Sequence, residues 1–430
     1  MHLIKSLIQS SSDIRILWCS VIFRMASYGL TNQVLTLYLK SININEFKIG
    51  IFMTCTLIGD TLISYYLTWN ADRIGRKAVM GIGAIMMIIS GIIFAICENF
   101  YILLIAAILG VISPSGDETG PFKSIEEASI AHLTPFNHLP EVFAFYGLFA
   151  TVGAAVGSLF SGFIVDYCHE ILNYDTIVCY KIVFLVYSGI AFAKCLLISC
   201  CLSNKCELNN SESTELITKE NNKLLSETTK HQLFKLLGIF MLDSLGYGFL
   251  PSAWIVYYLK FTFKCSATTL GTLFFITNSV DAISSLPSAY LTKLLGPVKA
   301  ILFTQVPSAL IFSFIPICVS FVPVAILLLF YYLTTTMDVV PRQLLLTSII
   351  PNDEFTKVLG IVNVGKTFAR CVGPIFTGKL ASKNKLHFGF FINSICVLLA
   401  DSILAVNFLQ LDQSIKNKHK LHKIVDVVIE

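Results

Sequence analysis

Long apolar runs alternate with short polar connections along almost the whole chain. A run of about 20 apolar residues is long enough for a helix to cross a hydrocarbon layer of about 30 Å. We therefore predict an all-α membrane protein with twelve membrane-spanning helices. The predicted spans lie near residues 14–38, 46–68, 78–97, 101–131, 140–166, 181–203, 234–259, 267–290, 299–319, 322–347, 356–380 and 387–409.

One long polar stretch, residues 204–233, separates two groups of six spans. It is rich in Asn, Ser, Glu and Lys, a composition typical of flexible linkers. Lys and Arg are more numerous on the face that carries both termini, and the positive-inside bias places that face in the cytoplasm. We predict an N-terminal six-helix bundle over 1–203, a cytoplasmic central loop over 204–233, a C-terminal six-helix bundle over 234–410 and a cytoplasmic tail over 411–430.

The composition indicates that the solvent of this chain is a lipid bilayer. Charged residues make up only 13% of the chain and hydrophobic residues 55%, whereas charged residues are near 25% in soluble domains. The net charge of +4 is modest and no basic patch is present, so we predict no nucleic-acid partner. The sequence has no metal-ligand cluster, nucleophile elbow or phosphate-binding glycine loop, so we predict no enzyme activity, metal or cofactor.

The two halves of the chain repeat each other at a shift of 216–221 residues. The order of the matches is preserved along the chain, and six spans separate the copies. Both copies therefore have the same orientation, which is the parallel-repeat arrangement of transporters whose substrate site lies between the halves. The clearest matched pairs are Tyr28 and Tyr247, Gly29 and Gly248, Asp60 and Asp281, and Gly157 and Gly373.

A charged loop between spans two and three resembles a known motif. The loop Asp72-Arg73-Ile74-Gly75-Arg76-Lys77 is similar to the D-R-x-G-R-K loop of the major facilitator superfamily. The resemblance covers essentially the whole chain, and it implies two six-helix bundles that transport a solute by alternating access. In that family the loop holds the outward-facing state, a role that would fall to Asp72, Arg73, Gly75, Arg76 and Lys77. Alternatively, these charges only set the topology.

Two further features refine this resemblance. Residues 113–128 and 337–343 look similar to segments of a poorly characterised branch near the drug-efflux members. The loop also departs from the motif, since Thr68 stands where the family has a glycine. The matching second-half loop keeps only Gly296 and lacks the acid.

Ionisable residues inside the predicted spans are the candidates for transport chemistry. A charge at the bilayer centre costs about 2.5–3.5 kcal/mol on insertion scales, so such residues normally face a cavity or a partner. Asp60 and Asp281 occupy matched places in spans two and eight. We interpret them as a proton or substrate-cation site, and hydrogen-bonded packing contacts are the alternative.

Spans four and ten are polar and interrupted by proline at corresponding positions. Span four carries Asp117 and Glu118 between two prolines, and span ten carries Asp338 before Pro341 and Arg342. A break at mid-membrane is tolerated beside a cavity, so these segments indicate the translocation site. The alternative is a pair of kinked helices with structural polar contacts.

Oppositely charged residues coincide in the repeat. Arg24 in span one matches Asp243 in span seven, and Glu126 matches Arg342. In the resembled family, spans one and seven line the cavity. This implies that Arg24 holds an anionic substrate group with Asp243 as counter-charge, unless the pair only stabilises the cavity.

Glu126 and Arg342 form a candidate gate between the two halves, unless Glu126 lies in the headgroup layer. Two bases of span eleven, Lys366 and Arg370, share one helix face. In the resembled family, spans six and twelve pack peripherally, which makes Lys194 and Asp401 less informative than the other charged residues.

These features predict a secondary active transporter for a small polar, charged or drug-like solute. Coupling to protons is the predicted driving force, because many buried acids would be a costly feature for passive exchange. The alternatives are a uniporter and a non-transporting nutrient sensor, although the central loop and tail are short for a signalling domain. We expect a monomer whose partners are lipid, the solute and protons. It would reside in the plasma membrane or, from the dileucine pattern at 220–225, in an endosomal or vacuolar membrane.

Overall fold

The computed structural model describes residues 11–110, 112–113, 121–135, 138–203, 206, 226–284, 287–351, 354–410 and 412. Every predicted span coincides with one helix or with a consecutive pair of helices. The helices are α1 Ser12–Ser41, α2 Glu46–Ile74, α3 Arg76–Ile96, α4a Phe100–Leu109, α4b Pro121–Leu133, α5 Leu139–Asp166, α6 Thr176–Cys201, α7a Glu227–Phe249, α7b Ser252–Phe263, α8a Ala267–Ser284, α8b Ser288–Leu295, α9 Pro297–Phe314, α10a Phe321–Thr335, α10b Val339–Ile349, α11 Phe355–Ser382 and α12 Phe388–Phe408. The predicted all-α membrane fold is confirmed, and the cytoplasmic location of the termini stays a prediction.

Length and apolar composition separate the helices into two classes. In the described part of the chain, eight candidate spans are long and apolar enough to cross a membrane, and they correspond to α2, α3, α5, α6, α7a with α7b, α9, α10a with α10b, and α12. The remaining spans, which are α1, α4a with α4b, α8a with α8b, and α11, are interrupted or contain many polar residues. Most of the predicted site residues lie in these four spans or in the broken spans seven and ten.

Local sequence explains where several helices begin and break. The side chains of Ser11, Asn45, Asn99 and Ser226 each accept a hydrogen bond from a backbone N–H in the first turn of α1, α2, α4a and α7a, which satisfies a donor that has no partner within the helix. Span seven is broken at Leu250 and Pro251, since proline lacks the N–H that a continuous helix needs. Span ten is interrupted by a 3₁₀ turn over Thr336–Asp338.

The same helix pairs pack together in both halves of the sequence. α1 packs against α5 and α6 as α7a packs against α11 and α12, and α3 contacts α6 as α9 contacts α12. Matched glycines allow two of these contacts. A Cβ on Gly157 would lie 2.1 Å from the carbonyl oxygen of Ala26, and a Cβ on Gly373 would lie 2.1 Å from the carbonyl carbon of Gly248. The predicted pseudo-symmetry is therefore present in the packing.

The turns before α3 and α9 also repeat. Gly75 has φ of 102° and Gly296 has φ of 94°, a conformation that only glycine adopts without steric cost. The two residues are 221 positions apart, as the repeat requires.

Contacts divide the chain into two compact units, each with its own apolar core. The first unit contains α1 to α6 and also residues 251–279, and its core includes Leu17, Met80 and Ile130. The second unit contains α7a and the chain from Val280, with Leu236 and Leu345 in its core.

This division differs from the predicted boundary between halves. Contacts group residues 251–279, which belong to the predicted C-terminal bundle, with the first unit, and the predicted boundaries of the bundles stay a prediction. Hydrogen bonds explain the difference, since Thr36 donates to the carbonyl of Ala253 at 3.0 Å and Ser252 donates to Asn32 at 3.2 Å. The break at Pro251 is the point where span seven passes from one unit to the other.

Candidate functional site

Glu126 is the centre of a buried ion cluster in the first unit. Its side chain is completely buried and lies 3.0 Å from Nη2 of Arg24 and 3.6 Å from Nζ of Lys194. Ser20 donates to Oε1 at 2.9 Å, and the hydroxyl of Tyr146 donates to Oε2 at 2.9 Å. We call Arg24, Glu126, Tyr146 and Lys194 the first ion cluster.

Four helices bring the first ion cluster together. Ser20 and Arg24 lie one turn apart on α1, while α4b, α5 and α6 contribute Glu126, Tyr146 and Lys194. Both carboxylate oxygens of Glu126 have charged and hydrogen-bonding partners, so the cost of burying this acid is offset. The tyrosine hydroxyl also accepts a bond from Arg24 at 3.0 Å and therefore fixes the guanidinium against the acid.

Arg342 is the centre of a second ion cluster, in the second unit. Its Nη1 lies 2.8 Å from Oδ2 of Asp243, and its Nε bonds to Asp338 one turn earlier. The guanidinium also lies over the ring of Phe240, 5.4 Å from its centroid. We call Asp243, Asp338 and Arg342 the second ion cluster.

A chain of polar side chains extends the second ion cluster along α7a and α9. Gln305 donates to Asp338 at 2.6 Å, and Tyr247 donates to the amide oxygen of Gln305 at 3.0 Å. Thr335 lies 3.1 Å from the hydroxyl of Tyr247 and accepts a bond from Ser308. The broken segment of span ten therefore contacts polar side chains, as a mid-membrane interruption requires.

The two clusters occupy matched positions with reversed charges. Arg24 matches Asp243, and Glu126 matches Arg342, so the base on span one becomes an acid on span seven. The ion pair between Arg24 and Glu126 lies within the first unit, and the ion pair between Asp243 and Arg342 lies within the second. The predicted gate between Glu126 and Arg342 joins residues that are already paired elsewhere, and it stays a prediction.

The matched acids Asp60 and Asp281 lie in different units and in different surroundings. Asp60 on α2 is 2% exposed and accepts a 3.4 Å bond from Ser64. Asp281 on α8a is half-buried, and its charge interacts with that of Asp338.

The predicted bases of span eleven lie on α11, where Lys366 interacts electrostatically with Asp243. The backbone of Arg370 packs against Gly248. Asp117, Glu118 and the side chain of Asp72 lie outside the part of the chain that the structure describes.

The charged loop after α2 contacts neighbouring helices of the first unit. Arg76 is buried and donates to the carbonyl of Ala128 on α4b at 3.2 Å, and Lys77 donates to the carbonyl of Leu202 at 2.6 Å. Arg73 is exposed at the end of α2, and Gly75 allows the turn into α3. The expected role of the loop in holding one transport state stays a prediction.

Sequence reasoning missed three members of this chemistry. Lys194 and Tyr146 complete the first cluster, and Asp401 on α12 is 3% exposed and interacts electrostatically with Asp243 and Arg342. We set aside spans six and twelve as peripheral, but both contact the central helices α1 and α7a. The sequence did contain a signal for Lys194 and Asp401, since each is an ionisable residue in an otherwise apolar span, and such residues are often functional.

A further missed residue, Asp166, joins α5 to α8a within the first unit. Its carboxylate accepts bonds from the backbone N–H groups of Ala267 at 3.1 Å and Thr268 at 2.6 Å. These groups begin α8a and have no partner within that helix, so the acid caps it. Gly162 permits this approach, since a Cβ there would lie 2.3 Å from the carbonyl oxygen of Ala267.

The sequence and the fold of this chain are similar to those of known proteins. The family model described as Major Facilitator Superfamily matches residues 17–233 and 236–424. The "Uncharacterized membrane protein YJR124C" of Saccharomyces cerevisiae is 48% identical and spans 96% of this chain and 98% of its own length. The "Quinolone resistance protein NorA" of Staphylococcus aureus is 23% identical over 38% of this chain and 41% of its own length.

Solved structures agree on the fold. The crystal structure of a bacterial homolog to the human lysosomal transporter Spinster, inward-facing and unoccupied, aligns with a TM-score of 0.72. It is 11% identical, and the alignment covers 91% of this chain and 95% of the other. At this identity the likeness shows the fold alone.

Proposed function

Because this chain belongs to the Major Facilitator Superfamily and is a multi-pass membrane transporter, we propose that it moves a small polar, charged or drug-like solute by proton-coupled alternating access. The observation that carries this proposal is the pair of charge-reversed ion clusters on spans one, four, seven and ten. Ion pairs that are buried in the protein are costly for a protein that needs only to be stable. They are useful when the ion pairs exchange partners during a transport cycle.

The second ion cluster supports a proton-binding role. Arg342 contacts two carboxylates at once, and Oδ1 of Asp243 has no hydrogen-bond partner among the described residues. A proton or a cationic solute group at Asp243 would weaken its bond to Arg342. We infer that this exchange links solute binding to the movement of protons, with Asp60 and Asp281 as further candidate acids.

Flux measurements on the full chain in liposomes test this proposal. The vesicles contain a pH-sensitive dye and receive a transported solute, selected from norfloxacin, amino acids, sugars and organic acids. We expect solute entry to change internal pH, and we expect Asp243→Asn to reduce that proton flux at least tenfold while solute counterflow continues. Glu227→Gln is the control, because that side chain is 89% exposed.

The same measurement separates the alternatives. Solute flux without any pH change in wild-type vesicles would indicate a uniporter and would contradict proton coupling. Saturable solute binding without flux would indicate a sensor. Comparing the metabolites of deletion and overexpressing cells would extend the search to solutes outside the panel and would show the direction of transport.

A further inference from the structure

Asp401 is a buried acid on α12 that the charge pairs of the second unit leave unneutralised. Its side chain is 3% exposed. Oδ2 has no hydrogen-bond partner among the described residues, and no base in that part of the chain forms an ion pair with this carboxylate. A buried carboxylate without a partner is held at lower cost as the neutral acid than as the anion.

The packing of α12 on α7a places Asp401 beside the second ion cluster. A Cβ on Gly246 would lie 3.0 Å from the carbonyl oxygen of Asn393, which fixes the level at which the helices meet. Phe240, earlier in α7a, shares a core with Ala400, later in α12, so the two helices run in opposite directions. A Cβ on Gly246 would also meet Cys396 and Val397, so Asp243, about one turn earlier, lies level with residues 396–400 of α12, about one turn from Asp401.

The charges around Asp401 come from several helices. Asp243, Arg342 and Asp338 are the groups that act on its charge. The helices that pack against α12 carry ionisable residues that include Asp243 and Tyr247 on α7a, Lys299 on α9, and Lys366 and Arg370 on α11. Asp338 and Arg342 belong to span ten and act on Asp401 through their charge.

Acids outnumber bases in this region. Asp243, Asp338 and Asp401 face Arg342 and Lys366. Adding the half-buried Asp281 and Arg370 leaves the excess of one acid unchanged, and Lys299 is not counted because its side chain is exposed. Full ionisation would therefore leave one uncompensated negative charge inside the bilayer, and one bound proton removes it.

The position within the last helix of each half supplies a second reason to include Asp401 in the cluster, although the shift there, 207 residues, is shorter than in the other spans because α12 has 21 residues and α6 has 26. Lys194 lies seven residues before Cys201, the end of α6, and Asp401 lies seven residues before Phe408, the end of α12. Lys194 is the third charged member of the first ion cluster. The matched third position in the second unit carries an acid, so the charge reversal extends to all three spans.

We propose that Asp401 is a proton-binding residue that shares Arg342 with Asp243. Arg342 pairs with one of these acids at a time, and the acid without Arg342 holds the proton. When Arg342 moves from Asp243 to Asp401, the O–H bond at Asp401 breaks and an O–H bond forms at Asp243. The net charge of the cluster is unchanged. This inference deepens the proposed function and rests on its proton coupling.

Infrared spectroscopy of the full chain in lipid nanodiscs tests the protonation directly, without a transported solute. We expect wild type to show the carbonyl-stretch band of a buried protonated carboxyl, and Asp401→Asn to lose it. Asp401→Glu should keep the band at a shifted frequency, which also identifies a folded variant. Glu227→Gln, at an exposed acid, should leave the band unchanged. An unaltered band in folded Asp401→Asn would overturn the proposal.

Transport separates this inference from the proposed function. In the liposome measurement, we expect Asp401→Asn to reduce proton flux at least tenfold while counterflow continues, and Asp401→Glu to restore part of it. Normal proton coupling in Asp401→Asn would overturn the role of Asp401 and leave the proposed function standing. A lost infrared band together with wild-type flux that moves no protons would overturn proton coupling and leave the protonation of Asp401 standing.

Discussion

The two ion clusters occupy matched helices, yet they differ in how completely their charges are satisfied. In the first unit, each oxygen of Glu126 has two partners, which are Ser20 and Lys194 on one side and Arg24 and Tyr146 on the other. In the second unit, one oxygen of Asp243 and one of Asp401 have no hydrogen-bond partner in the part of the chain that the structure describes.

This difference indicates different roles. A carboxylate surrounded by two bases and two hydroxyls is held as an anion, because a proton would break several favourable contacts. An acid that shares one base with its neighbours can gain or lose a proton at smaller cost. We therefore expect the first ion cluster to act mainly in stability and substrate positioning, and the second in proton exchange.

The largest expected effect is on the first ion cluster. Glu126→Gln removes the anion that Arg24 and Lys194 both contact, and breaking a buried pair costs about 3–5 kcal/mol. The measurement is denaturant or thermal unfolding of the purified protein. Asp243→Asn should reduce the free energy of unfolding by less, since Arg342 still forms its ion pair with Asp338. Equal losses for the two variants would show that the clusters do not differ as we infer.

Replacing the glycines at the close helix contacts should reduce the stability of the protein by similar amounts in the two units. Gly157→Ala and Gly373→Ala each place a methyl group about 2.1 Å from a backbone atom of the neighbouring helix, and overpacking of this kind costs about 1–3 kcal/mol. Gly189→Ala is the control, because a Cβ there meets nothing within 4 Å. If unfolding measurements show different losses of stability for the two alanine variants, the repeat extends to the positions of the charges but not to the packing of the helix backbones.

In each unit an acid from a distant part of the chain caps the start of a helix. Asp166 caps α8a, and Asp412 accepts bonds from the N–H groups of Val298 and Lys299 at the start of α9. We expect Asp166→Ala and Asp412→Ala each to cost about 0.5–2 kcal/mol. Hydrogen exchange should rise in the first turn of the helix that loses its cap. Unchanged exchange there would contradict the capping role.

The smallest expected effect is at an exposed ion pair. Lys181 lies 2.6 Å from Glu98, and the acid is 53% exposed. Solvated pairs contribute about 0–1 kcal/mol, so Lys181→Ala should shift the unfolding free energy by less than this upper bound. A loss as large as that of Glu126→Gln would show that burial is not what distinguishes the ion clusters.

Apolar runs of spanning length predicted the helices, eight of which are long and apolar enough to cross a membrane in the described part of the chain. The reason is that a helix that crosses lipid must satisfy its backbone internally and present apolar side chains. The proline at 251 and the polar segment before Arg342 also marked real helix breaks. The residues with which the buried charges form ion pairs were harder to predict from the sequence. Arg24 and Asp243 were singled out correctly as buried ionisable residues, but their partners come from helices about 100 residues away in the chain.

The amino-acid sequence by itself determined the fold class, the repeat and the candidate ionisable residues, since these follow from local hydropathy and from matches between the halves. Tertiary structure decided which charges meet. It paired Glu126 with Arg24 and Lys194, paired Arg342 with Asp243, and placed Asp401 on a helix that packs against α7a. Pairing depends on which helix faces touch, and helix packing is a property of the whole unit that no single span encodes.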